Sequence, residues 1–288
     1  NNIKNMNKQK KSTINSAIIF LCFIIIIVSC SKLEPPTPAD EDILDGQIEG
    51  LTNEQNSQFL EGDKAFNNEI FTTSKGLGPV FVATSCGSCH AGDGKGTPFT
   101  TLIRFGQIDS TGNKYLNFGG PQLQNRAIPG YQPEKLPNGA TFSKFTPPAN
   151  TGLGYIESVT DASILAMADP NDADGDGISG VPNWNNVPSY VNVNSIAVSY
   201  NGKYICRFGK KASTFDLLQQ TVTAYNQDIG ITSVFNLKDV YSGNEIDPEV
   251  SIKTIRDVVS YLQTLKAPIQ RQKENDDVLY GKEIFNKV

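Results

Sequence analysis

The sequence predicts a mainly α-helical domain with long loop and short-strand insertions. Apolar residues recur at helical spacing in three stretches, where we expect helices at about 157–168, 213–227 and 249–266. Residues 91–155 are rich in glycine, proline, asparagine and threonine, a composition typical of loops and short strands. The chain has 288 residues, of which 38% are hydrophobic and 19% charged, so it is long enough for one large or two modest globular domains.

The first thirty residues have the pattern of a lipoprotein signal peptide. Lysines follow Met6, and the apolar run Ala17–Val28 comes next, which is the order of a basic n-region and an h-region. The run ends at Ser29-Cys30, which resembles a lipobox. We therefore expect Cys30 to carry a lipid anchor in the cell envelope, on the periplasmic side or at the outer membrane, with residues 31–50 as a flexible tether. A plain signal peptide and an uncleaved anchor are the alternatives.

A further helix is expected at about 53–72. Thr52 and Gln55 have capping-box spacing, and Phe66 follows on the apolar face of the same helix. The stretch Gly76–Pro79 then breaks the helix and leads into the next motif.

The stretch Cys86-Gly87-Ser88-Cys89-His90 has the C-x-x-C-H spacing of a c-type haem attachment site. Two thiols on one turn can form thioether bonds with the two vinyl groups of one porphyrin. The histidine then lies under the iron as its proximal ligand. His90 is the only histidine of the chain, which excludes bis-histidine ligation within it. In a cytochrome c domain a helix precedes this motif, as it does here. We therefore expect residues 51–270 to form a cytochrome c-like haem domain.

Other chemistries of a cysteine pair fit the sequence less well. A thioredoxin-like dithiol needs a helix after the pair, whereas Ala91–Gly96 is a loop sequence. A zinc site needs further cysteines or histidines nearby. A structural disulfide, which an exported protein can form, gives no role to His90.

The last part of the chain repeats a pattern of the first helix. A helix is expected from near Asn275, and its Gly281-Lys282-Glu283-Ile284-Phe285 shares G-x-x-x-F with Gly62-Asp63-Lys64-Ala65-Phe66. We expect residues 271–288 to begin a second cytochrome c-like domain that is truncated before its own haem motif. A coincidental amphipathic turn is the alternative.

The ligand on the distal side of the haem iron distinguishes an electron carrier from an enzyme. Met167 is the only methionine outside the predicted signal region and is the candidate distal ligand. A methionine on an apolar helical face is, however, more often part of a core. Without it, the distal site is open or held by a weak ligand such as a tyrosine, and an open iron can bind peroxide.

A second candidate metal site lies at Asp172, Asp174 and Asp176, which alternate before Gly177 with the ligand spacing of a calcium loop. The twelfth position is Asn183 rather than the bidentate glutamate of an EF-hand. A turn that needs no metal is the alternative.

Several stretches beyond the haem motif match a known family; they are Gly76–Phe81, Gly119–Pro121, Arg126–Tyr131, Pro147–Pro148, Gly152–Glu157, Ala168–Gly180 and Arg207–Gly209. With them the chain resembles, over roughly residues 55–288, the di-haem oxidoreductase family, a relative of the bacterial di-haem cytochrome c peroxidases. The resemblance implies two haem c groups, the second in the full-length protein, and redox chemistry such as peroxide reduction. The chain departs from the family where the second haem motif is missing and where Lys210 stands in place of an aromatic residue.

The resemblance also singles out individual side chains. Glu134, Gln122 and Gln124 lie in family-like stretches and are candidate proton shuttles for cleavage of an O–O bond, although each can equally be structural. Arg207 is a candidate contact to a haem propionate, because a guanidinium group binds a carboxylate in a bidentate way.

The sequence therefore predicts the N-terminal part of a lipid-anchored di-haem oxidoreductase that is peroxidase-like. Electrons would come from a donor protein or a quinol-linked chain and pass between haems, and the substrate would be a small redox molecule such as peroxide. The net charge of −5 argues against a nucleic-acid partner. Two alternatives are a non-enzymatic electron-transfer cytochrome c with His90/Met167 ligation and a haem-free thiol oxidoreductase that uses Cys86 and Cys89.

Overall fold

A computed structural model describes residues 39, 41, 43, 46–106, 108–109, 112–113, 115 and 120–287. The predicted signal peptide, Cys30 and most of the predicted tether lie outside the described residues. The chain divides into two units, residues 1–42 and 43–288, and every element named below belongs to the second. None of the helices in the described residues is long and apolar enough to cross a membrane.

The described part of the chain contains short helices and very short strands. Its six α-helices are α1 (Asn53–Asn67), α2 (Leu153–Ser158), α3 (Asp161–Ala166), α4 (Leu217–Ala224), α5 (Ile252–Thr264) and α6 (Asp276–Phe285). A π-helix, Tyr225–Ile229, directly follows α4. Three antiparallel pairs are β1 (Val80–Phe81) with β5 (Arg126–Ala127), β2 (Leu102–Phe105) with β6 (Phe142–Phe145) and β3 (Ile108–Asp109) with β4 (Gly112–Asn113). The remaining sheet has the strand order β7 (Trp184–Asn185), β9 (Lys203–Ile205), β8 (Ser199–Tyr200).

The expectation of a mainly α-helical, cytochrome c-like domain is wrong. The six described helices are 6 to 15 residues long, and small sheets and irregular segments lie between them. The helix expected at 157–168 illustrates the reason. Val159 has an extended backbone, and the Thr160 hydroxyl accepts a hydrogen bond from the Ser163 N–H at 3.1 Å, so that a new helix begins at Asp161. A threonine side chain that caps a backbone N–H interrupts a helix that the apolar spacing alone would continue.

Four predicted helices are confirmed, with changed ends, and the one expected at 213–227 is α4 followed by the π-helix. Helix α1 begins at the predicted capping box, where the Gln55 N–H donates to the Thr52 hydroxyl at 3.2 Å and the Thr52 N–H donates to the Gln55 side chain at 2.9 Å. Helix α5 begins after Ser251, whose hydroxyl accepts from the Thr254 N–H at 3.0 Å. Helix α6 begins after Asn275, as expected.

Helices α1 and α5 cross in direct contact at Gly62. A β-carbon at this position would lie 2.2 Å from the carbonyl oxygen of Asp257 and 2.6 Å from the β-carbon of Tyr261, so only glycine permits this approach. The ring centroid of Tyr261 lies 5.0 Å from that of Phe59 and 5.6 Å from that of Phe66. Aromatic contacts of this kind contribute about 0.5–1.5 kcal/mol each beyond the area they bury. The crossing therefore fixes the C-terminal end of α1.

A second close contact joins β1 to the π-helix. A β-carbon at Gly78 would lie 2.1 Å from the carbonyl oxygen of Gly230. The N–H groups of Val82 and Ala83 donate to the carbonyl oxygen of Asp228 at 2.7 and 3.0 Å. The chain that leads into Cys86 is thus held against the end of the π-helix.

Gly62→Ala is expected to lower the free energy of unfolding by about 1–3 kcal/mol, because the added methyl group overlaps the backbone of α5. Gly281→Ala is the matched control, since it has the same G-x-x-x-F spacing but nothing lies within 4 Å of an added β-carbon. That variant should be equally stable or gain up to about 1 kcal/mol from helix propensity. Urea denaturation measures both, and equal losses in the two variants would contradict the crossing at Gly62.

Candidate functional site

Residues 86–90 form one tight turn that is attached to the end of α1. The N–H groups of Cys89 and His90 both donate to the carbonyl oxygen of Cys86, at 3.1 and 2.9 Å. The N–H of Gly87 donates to the carbonyl oxygen of Phe66 at 3.2 Å. The thiols of Cys86 and Cys89 are free rather than joined in a disulfide. The turn therefore presents two thiols and an imidazole at a position that helix α1 determines.

This turn forms part of the wall of a cavity of about 90 Å³ that opens to solvent. The wall combines the turn with side chains from α1, α4, the π-helix and α5; its other residues are Phe66, Ala83, Ser85, Leu102, Pro147, Asn150, Leu153, Gln220, Thr221, Ala224, Tyr225, Asp228, Ile229, Val258 and Leu262. Most of these side chains are apolar, and a few polar groups are placed among them.

The imidazole of His90 is held in one orientation. Its Nδ1 lies 2.9 Å from the carbonyl oxygen of Pro148. Because a carbonyl oxygen only accepts, Nδ1 carries the hydrogen, and Nε2 is left with a lone pair for a metal ion. Burial lowers the pKa of His90, although the backbone carbonyl groups of Pro148 and Gly94 oppose this effect. The side chain is therefore a neutral, oriented imidazole, the form that binds iron.

The two thiols are poor nucleophiles in this environment. Burial, together with the carboxylates of Asp228 and Glu69, raises the pKa of the Cys86 thiol to about 12. Burial is also the main cause of the raised pKa of Cys89. Reactive cysteines of redox enzymes have a lowered pKa, so this pair does not resemble a nucleophilic dithiol.

Three polar groups of the cavity wall have no hydrogen-bond partner within the described residues. They are the Asn150 side-chain amide nitrogen, the Thr221 hydroxyl and the Tyr225 hydroxyl. All three residues are at most 7% exposed. Buried donors of this kind are normally satisfied, so they indicate a polar group of a bound molecule.

The donor set of the cavity fits a haem. An apolar wall suits a porphyrin, two thiols suit its vinyl groups, and an imidazole with a free Nε2 suits its iron. The unpaired donors at Asn150, Thr221 and Tyr225 suit the carboxylate groups of the same molecule or an oxygen ligand.

Two residues that were predicted to contact the haem do not line the cavity. Met167, at the C-terminal end of α3, is 74% exposed and does not line the cavity. Arg207 pairs with the carboxylate of Asp161 and donates to the carbonyl oxygen of Val159 at 2.8 and 3.2 Å. None of these groups lines the cavity. Arg207, which directly follows strand β9, instead connects that strand to α3.

The predicted proton shuttles lie behind the cavity wall and support it. Glu134 accepts a hydrogen bond from the Gln124 N–H at 2.7 Å, and burial raises the pKa of Glu134. The side chain of Gln124 donates to the carbonyl oxygen of Gln227 at 2.9 Å. The side chain of Gln122 donates to the carboxylate of Asp228. Both glutamines are 2% exposed, and together they hold the π-helix in place.

Asp228 is a cavity residue that the sequence reasoning missed. Asp228 lines the cavity, and its carboxyl group lies close enough to the thiols of Cys86 and Cys89 to raise the pKa of both. Burial raises the pKa of Asp228 itself to about 6, against the opposing influence of Arg104 and Gln122. The available signal was spacing, because Leu217, Thr221 and Asp228 share one face of a helical stretch. An acidic residue on such a buried face is uncommon without a specific role.

The acidic loop brings together a different trio from the predicted one. Carboxylate oxygens of Asp169, Asp172 and Asp174 lie within 4.8 Å of one another. Asp176 is not part of this group, and its carboxylate accepts a hydrogen bond from the Ile178 N–H at 2.7 Å. Asp169 also accepts from the Ala173 N–H at 2.8 Å, so these carboxylates already stabilise the turn. Calcium binding by this loop stays a prediction.

Residues 145–288, half of the chain, match the family described as "Di-haem oxidoreductase, putative peroxidase". The Cys86–His90 turn precedes the matched residues, whereas most of the cavity wall, including α4 and α5, lies within them. Neither the comparison with curated proteins nor that with solved structures gave a match.

Arg207→Met tests whether this arginine is structural. The ion pair with Asp161 has side chains that are only 10% and 4% exposed, so removal of the cation should cost about 3–5 kcal/mol of unfolding free energy in urea denaturation. The double variant with Asp161→Leu should lose less than the single variant, because no unpaired carboxylate remains. A changed haem absorbance spectrum at unchanged stability would instead support a contact with a propionate.

Proposed function

The chain belongs to the di-haem oxidoreductase family, and we propose that residues 51–270 hold one covalent c-type haem on which redox chemistry takes place. One observation carries this proposal. A single turn places Cys86, Cys89 and an oriented His90 in the wall of one largely apolar cavity. The family match supports haem chemistry independently, because it rests on residues that exclude this turn.

Each residue of the site has a defined role in this proposal. Cys86 and Cys89 would form the thioether bonds, and His90 would bind the iron through Nε2 while Pro148 fixes the ring. The apolar side chains of α1 and α5 exclude water from the cavity. When bound, the haem supplies an iron that exchanges single electrons and can act on peroxide.

We propose that the reaction is the reduction of a small peroxide, with electrons from a donor protein or a quinol-linked chain. No methionine and no histidine other than His90 line the cavity among the described residues, which favours a ligand-accessible iron over a six-coordinate electron carrier. The raised pKa of Cys86, about 12, disfavours a haem-free thiol oxidoreductase.

We also propose that the protein acts in the cell envelope, anchored through a lipid on Cys30. The support is the pattern of the signal region alone, since Cys30 lies outside the described residues. Covalent attachment of haem outside the cytoplasm is consistent with this location.

Covalent attachment can be tested with the protein matured in a bacterial envelope that assembles c-type cytochromes. The wild type should keep its haem absorbance after denaturation and extraction with acidified organic solvent. Cys86→Ser/Cys89→Ser should lose it, because no thioether can form. Cys206→Ser, which changes the one described cysteine outside the motif, is the control and should behave as the wild type. A wild-type protein that matures without haem would overturn the proposal.

Met167→Ala tests the alternative of an electron carrier. The exposed position of Met167 predicts that the oxidised wild-type protein lacks a methionine-to-iron charge-transfer band at the red end of its spectrum. The variant should have the same spectrum as the wild type. If the wild type shows the band and the variant loses it, the proposal that this haem reduces peroxide is wrong.

A further inference from the structure

Asp228 supplies the only carboxyl group among the described residues that line the cavity. It belongs to the π-helix, a rare conformation that is frequent at functional sites. The proposed attachment of haem through Cys86, Cys89 and His90 does not involve this carboxyl group. Because Asp228 lines the same cavity, we asked what function its carboxyl group could have.

The side chain of Asp228 is held in place from two directions. Its backbone carbonyl accepts hydrogen bonds from Val82 and Ala83, just before the haem-binding turn. Its carboxylate accepts a hydrogen bond from the side chain of Gln122, which is itself buried. These contacts hold Asp228 in the cavity wall and keep its carboxyl group on Gln122 rather than in solvent.

The charged and titratable groups that face Asp228 are few. Arg104, on β2, lowers the pKa of the carboxyl group, and the side-chain amide of Gln122 does the same. Cys86 and Cys89 face it from the turn, but as thioethers they would not titrate. Burial outweighs these influences and raises the pKa of Asp228 to about 6, within reach of physiological pH.

We propose that Asp228 is the proton-exchanging residue of the haem cavity, whose carboxylate takes up a proton when the iron is reduced and releases it when the iron is oxidised. The proposal rests on the proposed function, that a haem occupies this cavity. In the balanced step, the donor protein is oxidised by one electron, ferric iron would be reduced to ferrous iron, and one proton from the buffered solvent forms an O–H bond on the carboxylate of Asp228.

The coupling follows from electrostatics. An added electron makes the cavity more negative, so a carboxylate there becomes less favourable and its pKa rises in the reduced protein. The reduction of peroxide to two molecules of water consumes two electrons and two protons. Asp228 would keep a proton in the cavity with each electron that arrives.

The test is a spectroelectrochemical titration of the haem-loaded protein between pH 4 and pH 9, a range of about two pH units or more on each side of the expected transition. The reduction potential should fall as the pH rises above about 6, with a slope that approaches 59 mV per pH unit, because one proton then accompanies each electron. Asp228→Asn should lose this slope. At high pH its potential should lie above that of the wild type, since the variant lacks the negative charge that favours ferric iron.

Two further variants make the test specific. Asp216→Asn removes another carboxyl group with a raised pKa, one that is half-buried at the opposite end of the same helical stretch. Asparagine at this position can still cap helix α4. It should keep the wild-type pH dependence. Gln122→Met removes the donor to the carboxylate of Asp228 and should move the pH-dependent window to higher pH, an effect that a purely structural role would not produce.

The outcomes separate the two proposals. If Asp228→Asn binds haem and keeps the wild-type slope, the role of Asp228 is overturned while the proposed function stands. If the wild type shows no haem absorbance before the titration, the proposed function fails and this inference fails with it. If Asp228→Asn does not fold, Gln122→Met decides, and an unmoved pH window overturns the inference.

Discussion

The contact between Gly62 of α1 and the backbone of α5 is the constraint on which the rest of the site depends. Because no β-carbon separates the two helices, Phe66 reaches Tyr261, and its ring centroid lies 6.0 Å from that of His90. The carbonyl group of Phe66 then holds the Cys–His turn at Gly87. A displacement of α1 would therefore move the thiols and the imidazole together.

The cavity combines two parts of the chain that are distant in sequence. The turn supplies the groups that would attach and ligate a haem, and the segment from Pro147 to Leu262 supplies most of the wall. The two parts meet where the His90 ring donates to the carbonyl oxygen of Pro148, and where Val82 and Ala83, just before the turn, donate to the carbonyl oxygen of Asp228. Binding of a haem would also provide partners for the buried donors that the chain alone leaves unpaired.

Local chemistry was predictable from the sequence, and long-range placement was not. The capping box at Thr52 and the single turn from Cys86 to His90 depend on neighbouring residues, so spacing alone indicates them. The fold class was predicted wrongly, because caps such as Thr160 divide stretches whose apolar spacing favours one helix. Contacts such as that between Gln122 and Asp228, 106 residues apart, leave no periodic signal in the sequence.

The central claim is that His90 binds the iron of a covalent haem through Nε2 while Pro148 holds its Nδ1. A crystal structure of the haem-loaded protein tests this most directly. We expect thioether bonds at Cys86 and Cys89, iron on Nε2 of His90, and the hydrogen bond from Nδ1 to the carbonyl oxygen of Pro148 retained. A haem bound elsewhere, or iron on Nδ1 with the bond to Pro148 broken, would contradict it.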